Sequence, residues 1–523
     1  MKNNLPISLF FIFCITNNGC TNLEEKYNSN ITANQVSSST DFNALLSDLN
    51  TDVNNTFQNA FGDIIGLSEI TTDEIIVPTR GANWGDNGIW SQLHGHRWDG
   101  NHTLVVGCFN DLCGVVFTST NILQFNPTPE QAAVVRFYRA LAMYWILDFF
   151  DQVPYREPGE NTLLPAHVRS GLDAWDYIVN EINEIMPLLP ADNPATSPTK
   201  NAAKVLLMKC YLNKGVYTNR QSPSFDVADM NKVIALADEV ISSNQYTFSA
   251  NYFDNFAPDN GNIGLENIFT LENTPGVNMG SNIIALTLFS LYYNSSPYGG
   301  VNGFSALSHL YKKFEDQDLR KGQSYPSNCY PNPGKRTNIG FLIGQQYNLN
   351  TDDSLYTSSG IPVAFDSAVT QLETGPNLDV VGIRPVKYAW DCAGPFGNDC
   401  VIFRLPDVLL MKAEAILRGG SGTAAGVYGS TALEIVNSIR LHPSRSASAL
   451  ASVDVNTLLD ERARELWLEC WRRQDLIRFG KFLEPFQDKP YTSDKMYLLF
   501  AIPSQQLAVN NYLKLNPGYT NTN

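Results

Sequence analysis

Seven stretches of this 523-residue chain repeat apolar residues at intervals of three and four: 130–150, 171–187, 200–216, 228–243, 405–418, 430–441 and 456–475. That interval puts them on one face of an α-helix, so the chain must fold by packing helices on helices. In the first stretch, Val134, Phe137, Tyr138, Leu141, Met143, Tyr144, Trp145 and Leu147 form a broad apolar face. Pro129 and Glu130 suit its first turn and Pro154 lies beyond its end. Short loops join 200–216 to 228–243 and 405–418 to 430–441. Alanine and aromatic residues at the expected contacts make these pairs similar to tetratricopeptide repeats, without the strict ~34-residue register. The fold class is therefore mainly α, built from tetratricopeptide-like helix pairs.

Between the two groups, residues 245–400 are rich in Gly, Pro, Asn and Tyr and hold short extended stretches such as "NIFTL" (267–271). A loop-rich insertion of this length with short strands is usually functional. The organisation expected is a leader at 1–19, an anchor and tether at 20–40, helical regions at 41–244 and 401–523, and the insertion at 245–400.

The leader reading comes from Lys2, the apolar run Leu5–Ile15 and the pair Gly19–Cys20. A basic start, a short apolar centre and small residues before a cysteine make an export signal. The run is too short to span a bilayer, which takes about 20 residues. No later segment is expected to span either; "NIIALTLFSLYY" (282–293) is short and broken by polar residues. Cys20 is then the acylation site of a lipoprotein, or the signal is cut elsewhere.

Net charge is −16, and removal of residues 1–19 takes away Lys2 and no acid. That excess argues against nucleic acid and anionic lipid surfaces as partners. Seven cysteines follow Cys20. Cys108/Cys113 and Cys392/Cys400 are near enough in sequence to pair in an oxidising compartment. None has zinc-type CxxC spacing. Cys210 and Cys470 fall in helical patterns and read as buried thiols.

"LLDERARELWLECWRRQDLIRFGKF" (458–482) is the most informative segment. Leu459, Ala463, Leu466, Trp467, Cys470 and Trp471 form one helical stripe. Glu461, Arg464, Glu465, Glu469, Arg472 and Arg473 occupy the opposite face, with Glu469 placed to pair with Arg472 and Arg473. Two carboxylates on one helix face point the same way and are ill placed to flank a scissile bond. Glu465 and Glu469 therefore read as parts of an ion-pair lattice.

This segment resembles the "RxxELxxExxRxxDLxRxG" signature of the SusD/RagB family, the outer-membrane nutrient-binding lipoproteins of Bacteroidetes. It matches at Arg462, Glu465, Leu466, Glu469, Arg472, Asp475, Leu476, Arg478 and Gly480. "FRLPDVLLMKAEAILR" (403–418), "AIPSQQLAVNNYLKLNPGY" (501–519) and "RFYRALAMYWILDFFDQVPY" (136–155) resemble three further family stretches, in the family's order. The resemblance implies a SusD-like fold and a non-catalytic role. The protein would capture glycan outside the outer membrane and present it to a SusC-like, TonB-dependent transporter, over which it sits as a hinged lid. It also implies that Cys20 is the lipid anchor and that Glu24 and Glu25 belong to a surface-export signal.

A sugar site needs aromatic faces for C–H surfaces and polar side chains for hydroxyls. "RGANWGDNGIWSQLHGHRWDGN" (80–101) carries Trp84, Trp90 and Trp98 among five glycines. Its polar groups include Asn83, Asp86, Asn87, Arg97 and Asp99. At least one tryptophan is expected as an exposed platform, with the others tucked under the loop. "LYYNSSPYGG" (291–300) adds Tyr292, Tyr293 and Tyr298. In "NGFSALSHLYKKFEDQDLRK" (302–321), which resembles a family helix, Asp316, Asp318 and Arg320 read as structural.

His94, His96 and His102 with Asp99 lack zinc-ligand spacing. "DNGNIGLE" (259–266) offers oxygens to calcium but does not fit the EF-hand loop and reads as a turn. No cofactor is expected. Two rival readings stay open: a peptide ligand on the same scaffold, and a surface glycosidase. The first would favour broad grooves and backbone hydrogen bonds. The second needs opposed carboxylates in a cleft, and the chain shows no nucleophile elbow, P-loop or HExxH.

Overall fold

The structure, a computed structural model, describes residues 39–59, 63–192, 194–274, 281–296, 299–326, 336–349, 351–367, 378–390 and 397–520. The leader, Cys20, Glu24, Glu25, Tyr298 and Cys392 lie outside them.

Eleven helices of seven or more residues occur among the described residues: α1 (Ser39–Gln58), α2 (Thr103–Leu123), α3 (Pro129–Phe150), α4 (Gly171–Ile185), α5 (Lys200–Thr218), α6 (Val227–Ser242), α7 (Ser281–Ser290), α8 (Leu405–Leu417), α9 (Ala432–Arg440), α10 (Val455–Leu466) and α11 (Arg472–Arg478). Local chemistry sets several starts. Thr128 and Gln131 form a capping box ahead of Pro129 at α3, and Thr431 and Glu434 form one at α9. The side chains of Thr199, Asp226 and Asp454 cap α5, α6 and α10. Neighbours in sequence pack as neighbours in space from α1 to α6. Helix α6 then packs on α8, across the whole intervening insertion, and α8 on α9 and α10. Strands β4 (Asn267–Leu271) and β11 (Cys400–Arg404) pair antiparallel, so the chain leaves the helical stack and re-enters it at one neck.

Beyond that neck the strands are short: β1 (Ile75–Ile76) with β5 (Ser305–Ala306), β6 (Gly322–Gln323) with β7 (Ile339–Leu342) and β10 (Arg384–Val386), and β8 (Gly344–Gln345) with β9 (Ala364–Phe365). A separate hairpin, β2 (Gln152–Tyr155) with β3 (His167–Ser170), links α3 to α4.

Three expectations are corrected. Helix α2 is long and apolar enough to cross a membrane by length and composition, contrary to the reading that no later segment is. It packs between α1 and α3, and Leu104, Val105, Cys108, Phe109, Leu112 and Val115 are buried there. Cys108 and Cys113 do not bridge, because five residues along one helix turn them about 140° apart. The single helix expected over 456–475 is two helices, α10 and α11, parted at 467–471 by left-handed Leu468 (φ 55°) and Cys470 (φ 68°).

That break redirects the signature charges inward. Glu469 pairs with Lys387 (2.5 Å) and Arg404 (2.7 Å) rather than with Arg472 and Arg473. Arg472 instead takes Asp73 at 2.7 Å, and Arg473 takes Asp148 at 3.3 Å. Glu465 meets Arg404 at 2.5 Å and Arg445 at 2.6 Å. Burial would raise the Glu465 carboxyl, but Arg445, Arg404 and Arg320 outweigh it and hold it well below the usual carboxylate range. The lattice ties α10 to the neck strand β11 and to the insertion through Arg320, which bonds Asp318 and Glu461 at 2.7 Å each. Asp318 and Arg320 are therefore internal, while Asp316 pairs with Lys321 at the surface. A carboxylate so engaged is a structural counter-ion.

Candidate functional site

Strand β1 delivers the chain into a loop over 79–88 with an unusual backbone. Gly81, Trp84 (φ 62°), Asp86 (38°), Asn87 (55°) and Gly88 all lie in the left-handed region. A bulky residue with positive φ is rare, and strain of this kind persists only where packing over-determines it. Here the packing is the Trp84 ring. It sits 7 % exposed against Phe289, Phe304 and Trp90, at centroid distances of 5.2, 5.8 and 5.8 Å. Its Nε1 donates to the Val301 carbonyl at 2.9 Å. A Cβ on Gly303 would stand 2.4 Å from the ring, so glycine is required beneath it.

Trp84 thus joins the 80s loop to the insertion. The two stretches singled out in the sequence meet: the Asn83 amide donates to the Tyr293 hydroxyl at 3.0 Å. Tyr292 is buried beside Tyr293, ring centroids 5.1 Å apart. Asn83 is exposed and Tyr293 half-buried. A concavity of about 390 Å³ opens next to them, lined by Val77, Thr79, Trp84, Gly85, Asn87, Gly88, Trp90 and Ser91.

The expectation of an exposed tryptophan platform is not met. Trp90 is 3 % exposed, with Nε1 donating to Asp86 at 2.7 Å. Trp98 is 1 % exposed, and its Nε1 donates to the Tyr519 hydroxyl at 2.8 Å. Its ring packs on Tyr497 and Phe500. The C-terminal segment supplies a buried aromatic bed there, and a large apolar ring gains more from that than from water. Arg97 and Asp99, both exposed, lie with this second group: each acts electrostatically on Tyr497. The early loop therefore splits. Asn83, Trp84 and Trp90 stand at the insertion, whereas Arg97, Trp98 and Asp99 stand at the chain's closing segment.

His94, His96 and His102 are buried, and each donates from Nε2 to a different backbone carbonyl: Gln487, Thr71 and Ile89. Burial drives His94 down to about 4 and His96 to about 3, so both are neutral donors at pH 7. In 259–266 the Glu266 carboxylate is engaged by Arg445 (2.7 Å) and Arg404 (3.1 Å). Among the described residues no group of three or more His, Cys, Asp or Glu could hold a metal ion.

The structure adds ring-bearing residues that the sequence reading passed over. The hairpin β8–β9 and its loop dock beside Tyr293: Leu349 N–H donates to the Ser295 carbonyl (2.7 Å) and the Asn348 amide to that of Asn294 (2.8 Å). It carries Tyr347, with the Arg336 guanidinium 3.6 Å above its ring, and Tyr356, 53 % exposed. The available signal was two tyrosines in the Asn/Asp/Ser-rich run 344–360. Asn83, Tyr293, Asn348, Tyr347 and Tyr356 thus bring amides, hydroxyls and ring surface to one region. Two other concavities lie elsewhere: about 400 Å³ beside Asp73, Lys313, Asp460 and Arg472, and about 370 Å³ by Phe117, Leu163, Leu164 and Val509. The lining of the latter mixes these apolar residues with Arg156, Gln506 and Asn510.

A SusD family model matches residues 396–519. The chain is 27 % identical over 427 residues to the starch-binding protein SusD of Bacteroides thetaiotaomicron, covering 75 % of this chain and 73 % of that one. Its fold is similar to that of a SusD superfamily protein from Parabacteroides distasonis (TM-score 0.68, 20 % identity, 91 % of this chain and 99 % of the other). It is also similar to surface glycan-binding protein A from Bacteroides thetaiotaomicron in complex with laminarihexaose (TM-score 0.62, 16 % identity, 92 % and 100 %). Closing segment, relatives and architecture agree: residues 396–519 carry the SusD family pattern, and the chain has a SusD-like fold.

Proposed function

We propose that this protein is a cell-surface lipoprotein that binds oligo- or polysaccharide and delivers it to a SusC-like, TonB-dependent transporter. The observation that carries the reading is the meeting of the 80s loop with the insertion, where the Asn83 amide reaches the Tyr293 hydroxyl and Tyr347 and Tyr356 lie close by. Amide and hydroxyl groups suit sugar hydroxyls, and tyrosine faces suit sugar C–H surfaces. One relative is named as starch-binding and one structural neighbour is in complex with laminarihexaose, which supports a carbohydrate ligand. Trp84 and Trp90, both buried, act beneath the site, holding the loop that presents Asn83. Binding without bond cleavage fits the location of the signature carboxylates, which are spent on arginines.

In this reading Cys20 carries the acyl anchor, Glu24 and Glu25 direct export, and the helical body faces outward from the outer membrane. No cofactor takes part. Isothermal titration of purified protein with starch and laminarin oligosaccharides, alongside peptide mixtures, tests the ligand class. Tyr293→Ala and Tyr356→Ala are expected to weaken glycan binding about tenfold each, on the order of 1.4 kcal/mol. Unchanged affinity in both variants, with the fold intact, defeats the site; binding of peptide alone defeats the ligand class.

A further inference from the structure

Ten of the twelve arginines buried among the described residues face a carboxylate at salt-bridge distance. The two exceptions, Arg80 and Arg384, are 1 % and 0 % exposed and lie side by side directly behind the proposed site. Among the described residues their terminal nitrogens donate only to neutral acceptors. Arg80 bonds the carbonyls of Leu378, Val381 and Gly303 and the Ser305 hydroxyl. Arg384 bonds the same Ser305 hydroxyl, the Asn302 amide oxygen (2.9 Å) and the carbonyls of Val381, Gly382 and Asp379. Neither Nε has a hydrogen-bond partner among the described residues.

The pair is poorly neutralised. Among the described residues Asp379 is the carboxylate whose charge acts on both, so there two cations answer to one anion. Burial, then repulsion by Arg80, pulls the Arg384 guanidinium well below its usual range, and burial brings Arg80 to about 10. This occurs in a chain of net charge −16, whose other buried arginines are matched. The Tyr293 hydroxyl is close enough to act on both guanidinium groups, and Arg80 begins the turn that presents Asn83. Charges set in a low-dielectric wall project their field to the surface above them.

We infer that the glycan bound at Asn83 and Tyr293 carries an anionic substituent, a carboxylate or a sulfate ester, attracted by the excess positive charge of the Arg80–Arg384 pair. The inference rests on the glycan reading above and adds the charge class of the ligand. The anion need not touch a guanidinium; it gains by standing where the Tyr293 hydroxyl and Asn83 amide face solvent, within the field of both.

The test is calorimetric titration of the purified protein with galacturonic-acid oligosaccharides, sulfated galactan oligosaccharides and neutral maltooligosaccharides and laminarioligosaccharides of equal length. Each is run at low and at physiological salt. At least one acidic series is expected to bind tenfold or more tighter than every neutral one at low salt, with the advantage shrinking as salt screens it. The tighter of the two acidic series names the anion. Asp379→Asn, at a half-buried position, removes the opposing charge found among the described residues and should widen the advantage about threefold or more. Neutral glycans binding as tightly as acidic ones, or an Asp379→Asn variant with an unchanged ratio, overturns the charge inference and leaves the glycan reading standing. Binding of no oligosaccharide overturns both.

Discussion

Trp98 shows how a single residue can be read correctly for type and wrongly for place. Its neighbours in sequence, glycines and charged residues, mark a loop, and loops lie at the surface. Its neighbours in space are Tyr497, Phe500 and Tyr519, some four hundred residues on. Trp98→Ala is therefore expected to cost about 3–5 kcal/mol of stability, measured by urea denaturation, because it empties a packed aromatic site. A loss under about 1 kcal/mol would mean the ring is not buried there. Glu69 gives a second residue-scale prediction. It is fully buried beside Glu74, and the Glu69 carboxyl accepts the Cys470 N–H at 2.6 Å. Burial lifts Glu69 to about 7 and, with repulsion from Glu69, lifts Glu74 well above the usual range. A carboxyl raised on folding holds its proton longer in the native state than in the unfolded chain. Stability is then full below about pH 4.5 and falls as pH rises through about 7. Glu69→Gln should flatten that loss: little change in midpoint at pH 5, and a higher midpoint than wild type at pH 8.

At the scale of elements, the break between α10 and α11 is the decisive local event. A continuous helix would leave Glu469 facing Arg472 and Arg473 near solvent, a contact worth a few tenths of a kcal/mol. The left-handed turns at Leu468 and Cys470 swing it inward onto Lys387 and Arg404. Glu469→Gln is therefore expected to cost about 3–5 kcal/mol by leaving two buried cations short of a counter-ion. A cost of a few tenths would restore the continuous helix. Helix α1 illustrates the opposite failure. Its Asn-, Thr- and Asp-rich sequence has weak helix propensity, and its first two residues fall in the expected tether. Phe42, Leu49, Val53 and Phe57 nevertheless bury one stripe, and contacts with α2, including Thr118 to Asp52 at 2.9 Å, hold it. The helices recognised in sequence, α3 to α6, α8 and α9, had both periodicity and end signals. Those overlooked lacked one or the other.

For the whole molecule, two buried electrostatic systems oppose each other in pH. In the lattice, burial would raise the carboxyls, but paired arginines prevail: Glu461 and Asp475 are both held at about 2, and Asp407 and Glu414 are also lowered. Stability from these groups is present above about pH 4–4.5 and is lost as pH falls toward 2. Glu69 and Glu74 subtract stability as pH rises through about 7. The midpoint of thermal unfolding should thus be highest near pH 5–6, falling steeply on the acid side and gently on the alkaline side. A midpoint still rising from pH 6 to 8 would contradict this charge layout.

Much was legible before folding because some physics is local. Helical period, capping residues, the order of the signature stretches and the neck strand "NIFTL" depend on neighbours a few residues away, and the helical scaffold follows from them. The partners of the site's residues are not local. Tertiary structure alone put Trp84 over Gly303, Asn83 against Tyr293, and Arg80 beside Arg384, pairs separated by 219, 210 and 304 positions. Burial of a ring or a charge depends on which distant surface arrives to cover it. Residue types and spacing could therefore nominate the two loops, and only packing decided which of their side chains face the ligand and which hold the loops in place.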